Sequence, residues 1–185
     1  MIRLFVGIAI PPAHGELLAR RCTGLVDARW IDPANMHVTL RFIGDIDEGA
    51  ADDVDASLAT IEAPAFDLRL SGFGSFGSER RMRAVWAGIE PSPVLVHLHD
   101  KVESAVVRAG FPPEGRKFSP HVTLARLKGT SPTQVRDFVE TQDDLAATPF
   151  PVRHFTLFKS HLSHSGASYR PAAEYPLDEI GPVSA

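Results

Sequence analysis

The 185-residue sequence has one cysteine, no long apolar run and no excess of positive charge. Cys22 alone cannot form an internal disulfide, and no cysteine pair is available for a zinc ribbon or a redox motif, so a reducing cytoplasm is the expected setting. No apolar segment approaches the roughly 20 residues that span a bilayer. The apolar run at residues 4–10 ends in Pro11-Pro12 without a small-residue cleavage pattern, which argues against a signal peptide.

The charge balance excludes a broad basic surface. Lys and Arg total 19 against 23 for Asp and Glu, a net charge of -4, so the chain lacks the global field that draws proteins to long nucleic acid. Any nucleic-acid partner should be small, terminal or gripped locally. The densest basic cluster, Arg80, Arg81 and Arg83, fits equally a charged hairpin tip and a patch that steers RNA.

The apolar periodicity alternates between strand and helix. With 44% apolar residues the chain can build a substantial core. Strands are predicted at 2–10, 29–32, 36–43, 66–76, 83–89, 152–160 and 168–177, with a further strand at the second of two HVTL strings, and helices at 11–25, 47–61, 92–109 and 130–143. The pattern predicts a duplicated α+β unit with sheets partly covered by helices. No composition break marks a linker, so residues 1–185 are expected to form a single domain.

The string HVTL occurs twice, and its histidines, His37 and His121, stand 84 positions apart. Side chains alternate along a strand, so each string buries its Val and Leu and presents an imidazole beside a hydroxyl on the other face. A single histidine in a strand is more often structural than catalytic. Two identical strings at matching places in a duplicated architecture favour a catalytic pair that faces one cleft.

Two imidazoles at one atom suit in-line displacement at phosphorus, in which one group takes a proton from water and the other protonates the leaving oxygen. An unperturbed pKa of about 6.5 allows one ring to be neutral and the other cationic near neutrality. Thr39 and Thr123 can donate hydrogen bonds to the non-bridging oxygens. The scheme requires no metal and no cofactor.

The paired strings, with "RLFVGIAIPP" and "ARWIDPANM" before the first and "RKFSP" before the second, resemble the two-histidine phosphoesterase superfamily, and within it the LigT-like RNA 2',3'-cyclic phosphodiesterases. The resemblance implies a bilobal, pseudo-two-fold α+β fold with mostly antiparallel sheets flanked by helices and a central cleft. It further implies opening of a terminal 2',3'-cyclic phosphate to a 2'-phosphate. The expected partners are RNA 3' ends or small nucleotides, and the expected state is a monomer without a membrane or an obligate protein partner.

Residue roles follow from the resemblance alone. His37 would be the general acid and His121 the general base, while Thr39 and Thr123 hold phosphate oxygens. Arg126 would reach the phosphate and Phe42 would lie against the nucleoside. Strict alternation places an offset of five on the face opposite the histidine, so these two contribute only if each strand bends or bulges before them.

Three alternatives stay open. The same residues could perform 2'-5' RNA ligation, which is the reverse chemistry. The cleft could belong to a non-catalytic module that binds RNA ends or nucleotides. A metal site at His161 and His164 is the weakest alternative, because no acidic residue beside them completes a ligand set.

Overall fold

The computed structural model describes residues 1–142 and 145–179, so the predicted helix end at Asp143 and the residues from 180 onward lie outside it. The strands in this part are β1 (Ile2–Ala9), β2 (Ala28–Trp30), β3 (His37–Ile46), β4 (Phe66–Leu68), β5 (Leu70–Ser78), β6 (Arg81–Ile89), β7 (His121–Leu127), β8 (Phe150–Val152), β9 (His154–Ser163) and β10 (Gly166–Pro176). The α-helices are α1 (Pro12–Ala19), α2 (Glu48–Leu58), α3 (Pro93–Arg108) and α4 (Pro132–Glu140).

The main sheet has the order β10-β9-β1-β3-β7-β6-β5, with β2 also paired to β7, and its named strands all pair antiparallel. Its two halves are called here the first lobe (β10, β9, β1 and β3) and the second lobe (β2, β7, β6 and β5). One pair, Val38 opposite Val122, joins β3 to β7. Both residues are the second letter of an HVTL string, so a local two-fold axis passes between the repeated strings. The predicted duplicated α+β fold is confirmed.

Helices cover the face of the sheet that carries Val38 and Val122, which are fully buried. Helix α3 follows its predicted stripe, and its buried residues include Leu95, Leu98 and Val102. The Ser92 hydroxyl accepts a hydrogen bond from the Leu95 amide at 3.2 Å and so caps an otherwise unpaired donor. Helix α2 packs on α3, α3 contacts β3, and α4 contacts β5 and β6. The opposite face, called here the cleft face, carries the histidines.

Three sequence predictions were wrong in detail. Helix α1 ends at Ala19 rather than near Leu25, because the chain turns through left-handed backbone at Gly24 (φ 85°) and Asp27 (φ 59°). The predicted strand 66–76 divides into β4 and β5, and the glycine-rich run is a bulged part of β5. Strand β8 was missed, because it is three residues long and pairs with the distant β4.

Candidate active site

Strand β3 contains a bulge inside the first HVTL string. Its register against β1 runs regularly from His37 to Thr39, skips Leu40 and resumes at Arg41. Leu40 and Arg41 are therefore both buried on the core face. Beyond the extra residue the alternation is inverted, so Phe42 lies on the cleft face with His37 and Thr39.

Strand β7 repeats this bulge at the equivalent leucine. Its register against β6 pairs Thr123 with Trp86, skips Leu124 and resumes at Ala125. Leu124 and Ala125 are both buried, while the next residue, Arg126, is exposed on the cleft face. Phe42 and Arg126 could reach the cleft face only if each strand bulged before them, and both strands contain this bulge.

The two histidine rings are held in the same way. His37 Nδ1 lies 2.7 Å from the Asn35 carbonyl oxygen, and His121 Nδ1 lies 2.7 Å from the Ser119 carbonyl oxygen. A carbonyl oxygen can only accept, so Nδ1 carries the proton and donates in each case. Nε2 is then the nitrogen available for chemistry in both rings. Extending the register from the Val38–Val122 pair sets each histidine opposite the other string's threonine.

Aromatic side chains surround His37 in the first lobe. Its ring centroid lies 4.6 Å from Phe5, 5.1 Å from Tyr169 and 6.2 Å from Phe158. The neighbouring strand β1 has Gly7 beside this ring, because a Cβ there would stand only 2.8 Å from the Val38 carbonyl oxygen. These partners come from β1, β9 and β10, and sequence spacing could not assign them to His37.

The second lobe gives His121 a different aromatic wall. Phe76 of β5 lies edge-on at 4.7 Å and Trp86 of β6 lies at 6.1 Å, measured between ring centroids. Trp86 lies over Gly74, where an added Cβ would fall 2.3 Å from the indole. Trp86 lies on the cleft face, opposite Thr123 in the ladder.

The electrostatic setting of His37 lowers its pKa below the ordinary value of 6.5. Desolvation is the main cause, since burial penalises the cationic ring. The hydrogen bond to Asn35 opposes this effect, while the charges of Arg126 and His121 add to it. Arg126 and His121 therefore lie within electrostatic range of His37 on the cleft face.

Arg41 is a buried charge that the sequence did not reveal. It is only 8% exposed, and its guanidinium donates to the Glu103 carboxylate of α3 and, at 2.6 Å, to the Pro112 carbonyl oxygen. Glu103 also accepts from the Glu114 amide at 2.8 Å. Arg41 thus fastens the strand of the first histidine to the loop that leads to the second. The equivalent position in the second string is Ala125.

The remaining residues that the sequence singled out lie either at the cleft or in the β9–β10 hairpin. Phe42 is 52% exposed at the cleft, and Thr39 and Thr123 are half-buried beside the opposite histidines. His161 and His164 are exposed in the hairpin between β9 and β10. Across residues 1–142 and 145–179, no group of three or more His, Cys, Asp or Glu side chains is arranged to hold a metal ion. In the same ranges, no helix is long and apolar enough to cross a membrane.

Comparison with known proteins identifies the family. The model of the 2'-5' RNA ligase superfamily matches residues 13–163. An RNA 2',3'-cyclic phosphodiesterase of Aeropyrum pernix is 34% identical over 161 residues, covering 85% of this chain and 91% of that protein. A protein of the same name from Aquifex aeolicus is 29% identical over 185 residues, covering 96% and 98%.

Solved structures agree with the sequence comparison. The crystal structure of E. coli LigT complexed with 3'-AMP superposes with a TM-score of 0.80 at 26% identity and covers 95% of this chain and 98% of that one. The crystal structure of TT0787 of Thermus thermophilus gives a TM-score of 0.80 at 27% identity, with coverages of 96% and 99%. Both histidine strings lie within the matched residues, and the chain belongs to the 2'-5' RNA ligase superfamily of two-histidine phosphoesterases.

Proposed function

We propose that the protein is an enzyme that hydrolyses terminal 2',3'-cyclic phosphates of RNA or small nucleotides to 2'-phosphates. The observation that carries the proposal is the matched pair of imidazoles, each held through Nδ1 by a backbone carbonyl and each beside the other string's threonine. Relatives from Aeropyrum pernix and Aquifex aeolicus bear the name RNA 2',3'-cyclic phosphodiesterase. Binding alone would not need a matched acid and base, which argues against a purely non-catalytic module.

The reaction is an in-line displacement. Water attacks phosphorus opposite the 3' oxygen, the P–O3' bond breaks, and the product carries a 2'-phosphate and a free 3' hydroxyl. One histidine accepts the proton of the water at a neutral Nε2, and the other delivers a proton from a cationic Nε2 to the departing oxygen. Because the carbonyls of Asn35 and Ser119 hold both Nδ1 protons, each ring presents the correct nitrogen without a tautomer change.

We assign His37 as the general acid and His121 as the general base, following the resemblance to the family. Thr39 and Thr123 donate to the non-bridging oxygens as charge grows there. The Arg126 guanidinium neutralises the phosphate, a role that its influence on His37 supports. Phe42 offers an exposed aromatic surface against which a nucleoside can stack.

The proposal extends to the setting of the reaction. His/His chemistry of this kind needs neither a metal nor a cofactor. Residues 1–185 are proposed to act as a single bilobal domain and as a monomer, because both histidine strings meet on one face of one sheet. The partner is an RNA 3' end or a small nucleotide, and the lone Cys22 is consistent with work in the cytoplasm.

The decisive experiment incubates the protein with adenosine 2',3'-cyclic phosphate in excess chelator and identifies the product by chromatography against 2'-AMP and 3'-AMP. Formation of 2'-AMP at an undiminished rate is expected. A 3'-AMP product would reverse the leaving oxygen, and activity that disappears with chelator and returns with metal would contradict the metal-free scheme. Tight binding of 2'-AMP without turnover of mononucleotide or RNA substrates would favour a binding module.

A second candidate is 2'-5' RNA ligation, favoured by the description of the matching family. It uses the same residues, since the 5' hydroxyl of a second RNA takes the place of water as the attacking group and the P–O3' bond again breaks. Incubation of two RNA halves, one ending in a 2',3'-cyclic phosphate and one beginning with a 5' hydroxyl, separates the reactions. Ligation would yield a full-length strand with a 2'-5' linkage, whereas hydrolysis leaves two halves.

A further inference from the structure

We propose that a groove at one end of the catalytic cleft binds the RNA strand on the 5' side of the reacting nucleotide, and that Arg29 holds the phosphodiester preceding that nucleotide. The inference rests on the proposed function and deepens it. It makes the preferred substrate an RNA strand of two or more nucleotides rather than a free nucleoside cyclic phosphate.

The groove has a volume of about 560 Å³ and lies between the two lobes. Strand β2 and Arg126 form one wall, and the tip of the β9–β10 hairpin, between Leu162 and Tyr169, forms the other. This volume falls within the roughly 300–1,000 Å³ typical of small-molecule sites. The groove is continuous with the catalytic centre, because Asn35 and Tyr169 also line it, and these two residues hold and pack against His37.

Two arginines face each other in this groove. Arg29 of β2 is directly opposite Arg126 of β7, so both side chains project from the same face at a Cα separation of about 5 Å. Like charges opposite each other in a sheet are destabilising. In the described ranges, 1–142 and 145–179, neither guanidinium has a hydrogen-bond or ion-pair partner. Asp32 also lines the groove, but its carboxylate caps the following turn by accepting from the Ala34 amide at 2.9 Å.

An anionic ligand with two adjacent charges would relieve this repulsion. Arg126 lies on β7, the strand of His121, and its charge acts on His37, so it belongs with the reacting phosphate, whereas Arg29 lies on the neighbouring strand β2. Arg29 is thus the guanidinium left for a second phosphate farther along a chain. Successive phosphates of one nucleic-acid strand supply that pair of charges, and a nucleoside cyclic phosphate supplies only one.

The opposite wall is polar and is tied to the catalytic centre. Three serines of the hairpin tip, Ser163, Ser165 and Ser168, line the groove. The Ser163 hydroxyl donates to the Gly166 carbonyl oxygen at 2.9 Å and lies 2.8 Å from the Ser165 hydroxyl, so Ser168 is the serine left to donate to a phosphate or ribose oxygen. The Asn35 side-chain amide donates to the Ala167 carbonyl at 3.0 Å, and its oxygen accepts from the Tyr169 amide at 3.4 Å. Asn35 therefore joins the wall of the groove to the carbonyl that orients His37. Because the protein has a net charge of -4, it needs a local cluster of positive and hydrogen-bonding groups of this kind to bind RNA.

The test compares two substrates and two single-charge variants. The substrates are adenosine 2',3'-cyclic phosphate and the dinucleotide ApA ending in a 2',3'-cyclic phosphate. The variants are Arg29→Gln and, as a matched control, Arg108→Gln, which removes an exposed arginine at the end of α3 on the other side of the sheet. Loss of one charge-assisted contact should lower kcat/KM for the dinucleotide roughly 10- to 100-fold in Arg29→Gln. The mononucleotide value should change less than twofold, and Arg108→Gln should leave both unchanged.

A binding measurement separates failure of the groove from failure of the proposed function. Affinities for ApA with a terminal 2'-phosphate and for 2'-AMP are measured over a range of salt concentrations. Arg29→Gln should reduce the salt slope for the dinucleotide by about 0.7 and leave that for 2'-AMP unaltered. Equal effects of the two variants, equal effects on the two ligands, or no preference of the unaltered protein for the dinucleotide would overturn the groove proposal. Absence of turnover with the binding difference intact would overturn the hydrolytic function alone.

Discussion

The two lobes contain the same HVTL string with the same backbone geometry, yet different side chains surround the string in each lobe. Both strings bulge at leucine, and both histidines donate from Nδ1 to the carbonyl two residues earlier. The difference lies just beyond the strings, where Arg41 and Phe42 in the first lobe correspond to Ala125 and Arg126 in the second. The duplicated string builds the pair of imidazoles, and its neighbours make the pair unequal.

The inequality bears on which histidine gives the proton. His37 sits among aromatic rings and near Arg126, and its pKa in the free protein is lowered. A lowered pKa favours the neutral ring, which alone would suit a base, whereas the family resemblance makes His37 the acid. A phosphate anion bound between the lobes would oppose the positive charge of Arg126 and favour protonation of His37. The proposed acid role of His37 therefore depends on the bound substrate.

The largest expected effect is the loss of either histidine. His37→Ala and His121→Ala should each lower kcat for cyclic phosphate hydrolysis by about 10²- to 10⁴-fold, the usual contribution of general acid or base catalysis. The exposed His97, on the outer helix α3, provides the matched control, and His97→Ala should remain within twofold of the unaltered enzyme. Steady-state kinetics on adenosine 2',3'-cyclic phosphate measure all three.

A leaving group that needs no proton separates the two roles. With sulfur in place of the bridging 3' oxygen, the departing thiolate is stable without an acid, so most of the deficit of His37→Ala should vanish. The deficit of His121→Ala should persist, because water still needs a base. If the sulfur substrate rescues His121→Ala instead, the assignment of the two roles is reversed.

The second largest effect concerns the ion pair between Arg41 and Glu103, which has no equivalent in the second lobe because Ala125 stands at the matching position. Arg41→Met leaves the Glu103 carboxylate half-buried without its cation and frees the Pro112 carbonyl, so the free energy of unfolding should fall by about 3 kcal/mol. Urea unfolding followed by circular dichroism measures the loss. The control is Arg3→Met, which breaks a pair with Asp45 whose side chains are 36% and 46% exposed, and a much smaller change is expected.

A double substitution tests whether Arg41 acts through Glu103. In Arg41→Met with Glu103→Gln, the carboxylate charge is also removed, so the loss should be clearly smaller than the sum of the two single losses. Simple additivity would show that the two side chains are not coupled.

Since Glu103 also holds the Glu114 amide in the loop before β7, Arg41→Met should lower kcat as well. An unchanged kcat would mean that the loop keeps Ser119 in place without this contact.

The sequence predicted the pairing of the two histidine strings but only part of their surroundings. Strand alternation was enough to put each histidine beside a threonine on one face. The bulge at Leu124 has a visible signal, because the adjacent apolar residues Leu124 and Ala125 break the alternation. The first string offers no such signal, because its second buried residue is Arg41, whose partner lies 62 positions away on α3. Asn35 and Tyr169 meet across 134 positions, a contact that local periodicity cannot express.

The smallest expected effect is a shift of the His37 titration. In the free protein the midpoint of its ring resonances, followed by NMR, should lie below 6.5, and Arg126→Gln should raise it without restoring the ordinary value, because desolvation is the larger cause. Arg29→Gln removes the charge that faces Arg126 but that does not itself lower the His37 pKa, so this substitution should move the midpoint less. Saturating 2'-AMP should raise the midpoint in the unaltered protein.

The sign of the pH dependence follows from the lowered pKa. The unfolded chain binds a proton at this histidine below about pH 6.5, whereas the folded protein does so only at lower pH, so stability is complete above 6.5 and is lost as the pH falls through the folded value. If His37 is the acid, kcat/KM falls as the pH rises through the same lowered pKa, and Arg126→Gln should move that limb to higher pH even as it reduces the maximum. If Arg126→Gln moves the NMR midpoint of His37 but leaves this limb of the kcat/KM profile in place, the general acid is His121 of the second lobe.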